Sequence, residues 1–355
     1  MPVDDLKATA KRKAKDKVVR VAKQKVTNRG SGGGSGSGGG RRGTTGNKKV
    51  DKVKNLKKSS PILLVLLVVL VIGAAAAAWH FGFLDNLLQG DDTVPAVVAV
   101  DGNIEMHFVD VGQADAVFII TDGGTMLIDA GSNRSHSGPR LVEYLHDLGV
   151  TEITYVVATH PHEDHIGGMH LVLNEFTIGE VLMPDITHTT RTFERMITAI
   201  EDNNIPTRAP EVGSTINLGG AVFTVIHPNS DRYSNLNDWS ISFRMQFGNV
   251  SMVTTGDAEA RAEREMIEAG HYLNADILRL GHHGSRTSTT QEFLDAVDPS
   301  IIIIQVGADN KYGHPHTEVM DRIHAAGIDR IYRNDLHGDI ILTTDGTNID
   351  IRTDR

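Results

Sequence analysis

The stretch Thr159-His160-Pro161-His162-Glu163-Asp164-His165-Ile166-Gly167-Gly168 decides how this sequence is read. It follows Ile153 to Ala158, a short apolar and β-branched run that predicts a buried strand. His160, His162, Asp164 and His165 then crowd the loop at the strand's end. A loop of this kind exposes side chains from a rigid support, which a metal site needs. The imidazoles of His160 and His162 suit a borderline ion such as zinc, and Asp164 with His165 suits a second ion beside it. The chain has no cysteine, so any metal must be held by His, Asp or Glu.

One segment cannot complete two metal shells, so further ligands are expected on later strand ends. The run from Val250 to Thr255 leads into Gly256-Asp257, a carboxylate able to bridge two ions. Ile277 to Leu280 leads into Gly281-His282-His283-Gly284-Ser285. Neighbours on an extended segment face opposite ways, so only one of His282 and His283 is expected to point inward; the preference is His283, leaving His282 to meet substrate. His227, after the run Val222 to Ile226, could complete the first shell, although His227-Pro228 reads equally well as a turn.

Outward from these segments the pattern is regular. Strands are expected at Ile104 to Val109, Ala116 to Thr121, Thr125 to Ile128, Ser240 to Phe247 and Ile301 to Val306. Helices are expected at Gly138 to Leu148, Thr190 to Asn203, Ala258 to Ala269 and Thr317 to Ala326, with a closing hairpin at Asp339 to Thr343 and Asn348 to Arg352. Strand and helix sets that alternate twice predict an α+β domain over 103–355, with two β-sheets sandwiched between helices.

His160-Pro161-His162-Glu163-Asp164-His165 resembles the HxHxDH signature of the metallo-β-lactamase superfamily, with Leu127-Ile128-Asp129-Ala130-Gly131 and Gly256-Asp257 similar to its upstream and downstream aspartate motifs. More narrowly, Phe108-Val109-Asp110-Val111-Gly112-Gln113-Ala114-Asp115-Ala116, Gly281-His282-His283-Gly284-Ser285 and Tyr312-Gly313-His314-Pro315 resemble the C-terminal hydrolase domain of ComEC-type competence proteins and their stand-alone relatives. The resemblance implies an αββα four-layer sandwich. It further implies His160, His162 and His227 on a first divalent ion, Asp164, His165 and His283 or His282 on a second, and Asp257 on both. Zinc is the expected metal and manganese the alternative. Asp110, Gln113, Asp115, His282 and His314 are expected to line the substrate pocket, and Asp129 to orient the histidines from behind. Three departures matter: Ala114 stands where competence proteins usually carry glycine, His162 where they often carry aspartate, and their many-helix channel and oligonucleotide-binding domain are missing.

Two ions about 3.5 to 4 Å apart can share a hydroxide able to attack a phosphodiester or other ester, so no protein nucleophile is required. Asp164 or Asp257 is expected to move the proton. The alternative is a non-catalytic metal-binding component of a DNA-uptake or envelope assembly. An antibiotic-hydrolysing role is a third reading, since fold does not fix substrate.

Charge divides the chain. Residues 1–60 carry 18 Lys or Arg against 4 Asp or Glu, whereas residues 61–355 carry 17 against 41, with Lys311 the only lysine after Lys58. Between the halves runs Ile62 to Trp79, uncharged and without proline, continuing to Phe83. About 20 such residues cross the ~30 Å hydrocarbon layer, so 61–83 is expected to be an uncleaved transmembrane signal anchor. The lysines just before it predict a cytoplasmic N-terminus and an extracellular C-terminal domain on a single-pass cell-membrane protein. Residues 30–47, with ten glycines, read as a flexible spacer within the basic, disordered tail 1–60, and 84–102 as a linker. The tail could meet anionic lipid. The acidic domain argues against avid nucleic-acid binding, leaving nucleic acid and cell-envelope phosphoesters both open as substrates.

Overall fold

A computed structural model describes residues 102–133 and 137–355. The basic tail, the expected anchor at 61–83 and nearly all of the linker lie outside the described residues. Among the described residues no helix is long and apolar enough to cross a membrane.

The first half of the domain runs β1 (Ile104–Phe108), β2 (Val117–Thr121), β3 (Gly124–Ile128), α1 (Ser137–Asp147), β4 (Glu152–Val157), α2 (Glu163–Ile166), α3 (Met169–Glu175), β5 (Thr177–Leu182), α4 (Arg191–Asp202) and β6 (Thr207–Arg208). The second runs β7 (Thr215–Leu218), β8 (Ala221–His227), β9 (Ser242–Phe247), β10 (Val250–Thr254), α5 (Ala260–Glu268), β11 (Ile277–Arg279), α6 (Gln291–Val297), β12 (Ile301–Ile304), α7 (Thr317–Ala325) and β13 (Arg330–Arg333). Then α8 (Asn334–His337) leads to the hairpin of β14 (Ile340–Thr344) and β15 (Ile349–Thr353).

These strands form two sheets, ordered β15-β14-β1-β2-β3-β4-β5-β6 and β13-β12-β11-β10-β9-β8-β7. Pairing is parallel from β3 to β6 and from β10 to β13, and antiparallel elsewhere. Parallel neighbours need crossovers, and α1, α3, α4, α5, α6 and α7 supply them. The expected hairpin at the C-terminus forms, but it adds to the first sheet beside β1, not to the second sheet that precedes it in sequence.

Three apolar clusters separate four layers. Phe108, Ile119, Phe243, Met252 and Ile303 fill the space between the sheets. Leu141, Val172, Phe193 and Met196 pack helices onto Phe118 and Leu127 of the first sheet. Met266, Phe293 and Val319 pack the other helices onto Leu278 and Ile302 of the second. Strand β12 explains itself: Ile301 and Ile303 face the partner sheet and Ile302 and Ile304 the helices, so a strand covered on both faces reads as continuous isoleucine. Helix α4 shows the other period, since Phe193, Met196, Ala199 and Ile200 are buried on one face while the Thr190 hydroxyl accepts from the Phe193 N–H at its start. Burying each such large side chain stabilises the fold by roughly 1.5 to 3 kcal/mol.

Candidate metal centre

The site lies at the carboxyl ends of the parallel strands of both sheets. Asp129 follows β3, His160 follows β4, Asp257 follows β10 and His283 follows β11. Asp115 enters from the loop joining β1 to β2. Backbone bonds tie these loops together: Asp115 donates its N–H to the Asp164 carbonyl (3.1 Å), Gly131 to Asp115 (2.7 Å) and Ala130 to His165 (2.7 Å). Gly167 and Gly168 make this approach feasible. A Cβ on Gly168 would stand 2.2 Å from the Ala130 carbonyl oxygen, and one on Gly167 2.2 Å from the Asn133 nitrogen.

Two ligand groups share one carboxylate. His160, His162 and Asp257 form one; Asp115, His165, Asp257 and His283 form the other, each with its potential donor atoms within 4.8 Å of one another. The Asp257 Oδ2 lies 3.1 Å from His165 Nε2, 3.7 Å from His282 Nε2 and 3.8 Å from His160 Nε2. Imidazoles in the site are held by their far nitrogen. His160 Nδ1 meets Thr159 Oγ1 at 3.2 Å and Ser240 Oγ at 3.3 Å, His165 Nδ1 meets Asp129 Oδ2 at 2.7 Å, and His283 Nδ1 donates to the Gln305 carbonyl at 3.0 Å. The Nε2 atoms are left facing the common space, the arrangement by which outer partners fix tautomer and ring orientation for a metal. Asp129 is therefore an orienter, as expected, and it also holds Thr159 through the backbone N–H (2.9 Å) and hydroxyl (2.7 Å). It does so at φ +60°, a left-handed conformation that a short polar side chain tolerates better than most.

The expectation that only one of the adjacent histidines points inward assumed an extended segment. Instead His282 and His283 both take left-handed backbone, φ 51° and 54°, which turns both rings to the same side. His283 Nε2 reaches within 3.4 Å of Asp164 Oδ2, and His282 Nε2 faces Asp257.

Other expected residues fall differently. His227 ends β8 but is not in either group: its buried ring donates from Nε2 to the Asp238 carbonyl (2.9 Å). Asp110 does not line the cleft; its N–H donates to Asp339 Oδ1 (2.6 Å) and its carboxylate accepts from Gly112 N (3.2 Å) and Arg355 (3.3 Å), so it shapes the loop that delivers Asp115. Asp115, expected in the pocket, joins the second ligand group, while Asp164, expected on the second ion, is in neither group and lines the cleft. Gln113 and His314 line the cleft. Sequence reasoning missed Arg279, which pairs with Asp115 and donates to the Gly256 carbonyl (3.2 Å) and Gln305 Oε1 (3.3 Å). Its signal was a lone charge inside the apolar run Ile277-Leu278-Arg279-Leu280.

The electrostatics suit cation binding. Burial pushes His160 well below its ordinary pKa, with His165 adding to the effect, and burial likewise lowers His162, so both offer neutral nitrogen lone pairs. Burial acts against ionisation of Asp257, yet His165, His282 and His283 outweigh it and hold the carboxyl well below its usual range. At His165 burial is outweighed by Asp257 and Asp129, which keep the imidazole well above its ordinary pKa. Burial lowers the Arg279 guanidinium to about 9.

A divalent ion fits this donor set. Asp257 Oδ1 is buried without a hydrogen-bond partner, and buried polar atoms of this kind require one, while His165 Nε2 and His283 Nε2 face only the carboxylates of Asp257 and Asp164. Imidazole with carboxylate and no thiolate is a nitrogen and oxygen set suited to zinc or manganese. The centre opens onto a cleft of about 600 Å³, lined on the far side by Asn310, Lys311, Tyr312 and His314.

A family model described as the metallo-beta-lactamase superfamily matches residues 109–307. ComE operon protein 3 of Bacillus subtilis is 27% identical over 252 residues, covering 66% of this chain and 32% of its own length. Recombination protein 2 of Haemophilus influenzae is 30% identical over 223 residues, covering 62% and 26%. The chain thus spans under a third of the length of these curated relatives. Among solved structures, the metallo-beta-lactamase fold protein YhfI from Bacillus subtilis aligns with a TM-score of 0.44 at 13% identity, over 66% of this chain and 96% of that one.

Proposed function

Because the chain belongs to the metallo-beta-lactamase superfamily, we propose that it is a binuclear metal-dependent hydrolase acting on a phosphodiester, anchored in the cell membrane by 61–83 with its domain outside. The observation that carries the reading is the convergence of two ligand groups on Asp257. His160, His162 and Asp257 would hold one ion, and Asp115, His165, His283 and Asp257 the other. The imidazole-rich set favours zinc, with manganese the alternative. Ions held there would supply Lewis acidity and lower the pKa of water toward neutrality.

The protein's own groups have separate tasks. Asp129, Ser240 and the Gln305 carbonyl fix the rings. Asp164 is the candidate proton acceptor: burial opposes its ionisation, but the His283 hydrogen bond and His165 prevail, so its carboxylate stays charged at neutral pH. His314, lowered to about 4 by burial and then by His283 and His282, stays neutral and can exchange hydrogen bonds with a substrate oxygen. The name of one relative, Recombination protein 2, supports nucleic acid as one candidate substrate; cell-envelope phosphoesters are the other.

The test uses the full chain in mild detergent. Bound zinc and manganese are measured, then turnover of bis-p-nitrophenyl phosphate. Metal-dependent hydrolysis that disappears in the Asp257→Ala, His162→Ala double variant is expected. Undiminished activity in that variant, or none in the metal-loaded protein, overturns the reading. Protease added to intact cells should remove the domain and spare the basic tail.

A further inference from the structure

Lys311 and Tyr312 stand together at the lip of the cleft. Tyr312 is 53% exposed, and among the exposed large hydrophobic side chains of the described residues it alone lines the cleft. Tyr272, also exposed, does not line the cleft. From Tyr312 inward, rings succeed one another: Tyr312 and His314 stack at 5.6 Å and 21°, and His314 and His283 at 6.2 Å and 24°. The column begins in solvent and ends on a ligand candidate, so a planar group stacked on its outer ring would lie at the mouth of the cleft, two rings out from the candidate centre.

Lys311 adds a charge to that platform, its Nζ 5.0 Å over the Tyr312 ring on a flexible stem that can swing off the ring to an incoming phosphate. It is the only lysine after residue 58, in a segment rich in acid, and it occurs at the mouth of a cleft whose lining includes the carboxylates of Glu163, Asp164 and Asp257. A flexible ammonium beside an exposed ring matches a phosphate beside an aromatic group, and its local charge offsets the repulsion an anion would meet from those carboxylates.

We propose that Lys311 and Tyr312 determine specificity, selecting a phosphodiester that carries a planar aromatic ring beside the phosphate, with Tyr312 stacking on the ring and Lys311 pairing with the neighbouring phosphate. The inference rests on the phosphodiesterase reading. Stacking of a base on an aromatic side chain typically changes binding about tenfold when the side chain is removed.

The experiment compares kcat/KM of the full chain, loaded with zinc or manganese, on a base-bearing single-stranded oligonucleotide and on an abasic one of equal length. A preference of about tenfold for the base-bearing strand is expected, falling toward unity in Tyr312→Ala and kept in Tyr312→Phe. Lys311→Gln should raise KM severalfold on both strands and flatten its salt dependence, and Lys311→Arg should restore both. A wild-type ratio near one, a ratio unchanged in Tyr312→Ala, or an unchanged KM in Lys311→Gln overturns the proposal. If no diester is cleaved at all, the hydrolase reading fails. Fluorescence anisotropy of the same labelled strands then decides the specificity claim alone, by whether wild type favours bases and Tyr312→Ala does not.

Discussion

His165 and Asp257 meet at 3.1 Å although they come from different sheets, and Asp257 is the one residue common to both ligand groups. Removing it should therefore differ in kind from removing a ligand of one group. Asp257→Ala is expected to abolish binding of both ions, whereas Asp115→Asn should lose one of two. Metal analysis of the gel-filtered proteins decides; equal stoichiometry in the two variants would contradict the shared carboxylate.

Asp129 touches no common space but fixes His165 and Thr159. Asp129→Asn keeps a side chain that tolerates the left-handed backbone while removing the charge. Metal affinity, read by isothermal titration, should fall roughly 10- to 100-fold with the fold intact by circular dichroism. An unaltered affinity would make Asp129 a purely structural aspartate.

Chelation should unload the fold as well as the site. A ligand that binds only the native state at about 1,000 times its Kd stabilises it by roughly 4 kcal/mol, so EDTA should lower the denaturation midpoint and excess zinc should raise it. The same experiment on Asp257→Ala should show no shift.

Glu263 offers a pH test away from the centre. It is fully buried and accepts N–H bonds from Thr289 and Thr290 (2.8 Å for the latter). Burial nonetheless raises its pKa to about 7 from an ordinary 4.5. Because the folded value is the higher one, its contribution is fully present below about pH 4.5 and is lost as pH rises through 7, by at most about 3 kcal/mol. Denaturant titrations at pH 5 and pH 8 should differ less in Glu263→Gln than in the parent; an equal difference would assign the pH dependence elsewhere.

Gly168→Ala should destabilise by about 1 to 3 kcal/mol, because its Cβ would press on the Ala130 carbonyl, which is backbone and cannot swing away. A thermal midpoint unchanged from wild type would show that the two loops can part without cost.

The layers and the first ligand loop were legible because they depend on local signals. Strand β12 is four isoleucines, helix α4 repeats its apolar residues every three or four positions, and His160 to His165 are contiguous. What sequence could not supply was direction in space. His227 sits at a strand end, as a ligand should, yet its ring turns to the Asp238 carbonyl. The paired histidines both face inward because two successive residues adopt positive φ, which no side-chain pattern announces. Asp115 and Arg279 meet across the two sheets, and only folding reveals that encounter. The pairing of β14 with β15 is a local hairpin and legible as such, whereas their place beside β1 depends on a distant strand that the local pattern does not reveal.

The candidate centre draws His160, His162 and His165 from the eight-stranded sheet and Asp257 and His283 from the seven-stranded one. An ion there would add a clasp between two halves that otherwise meet through apolar packing and a few polar ties, among them the Arg279–Asp115 pair. Loaded protein should then open as one cooperative unit, with amides at the ends of β4 and β10 exchanging their hydrogens together. Stripped of metal, the same amides should separate into two exchange classes, one for each sheet.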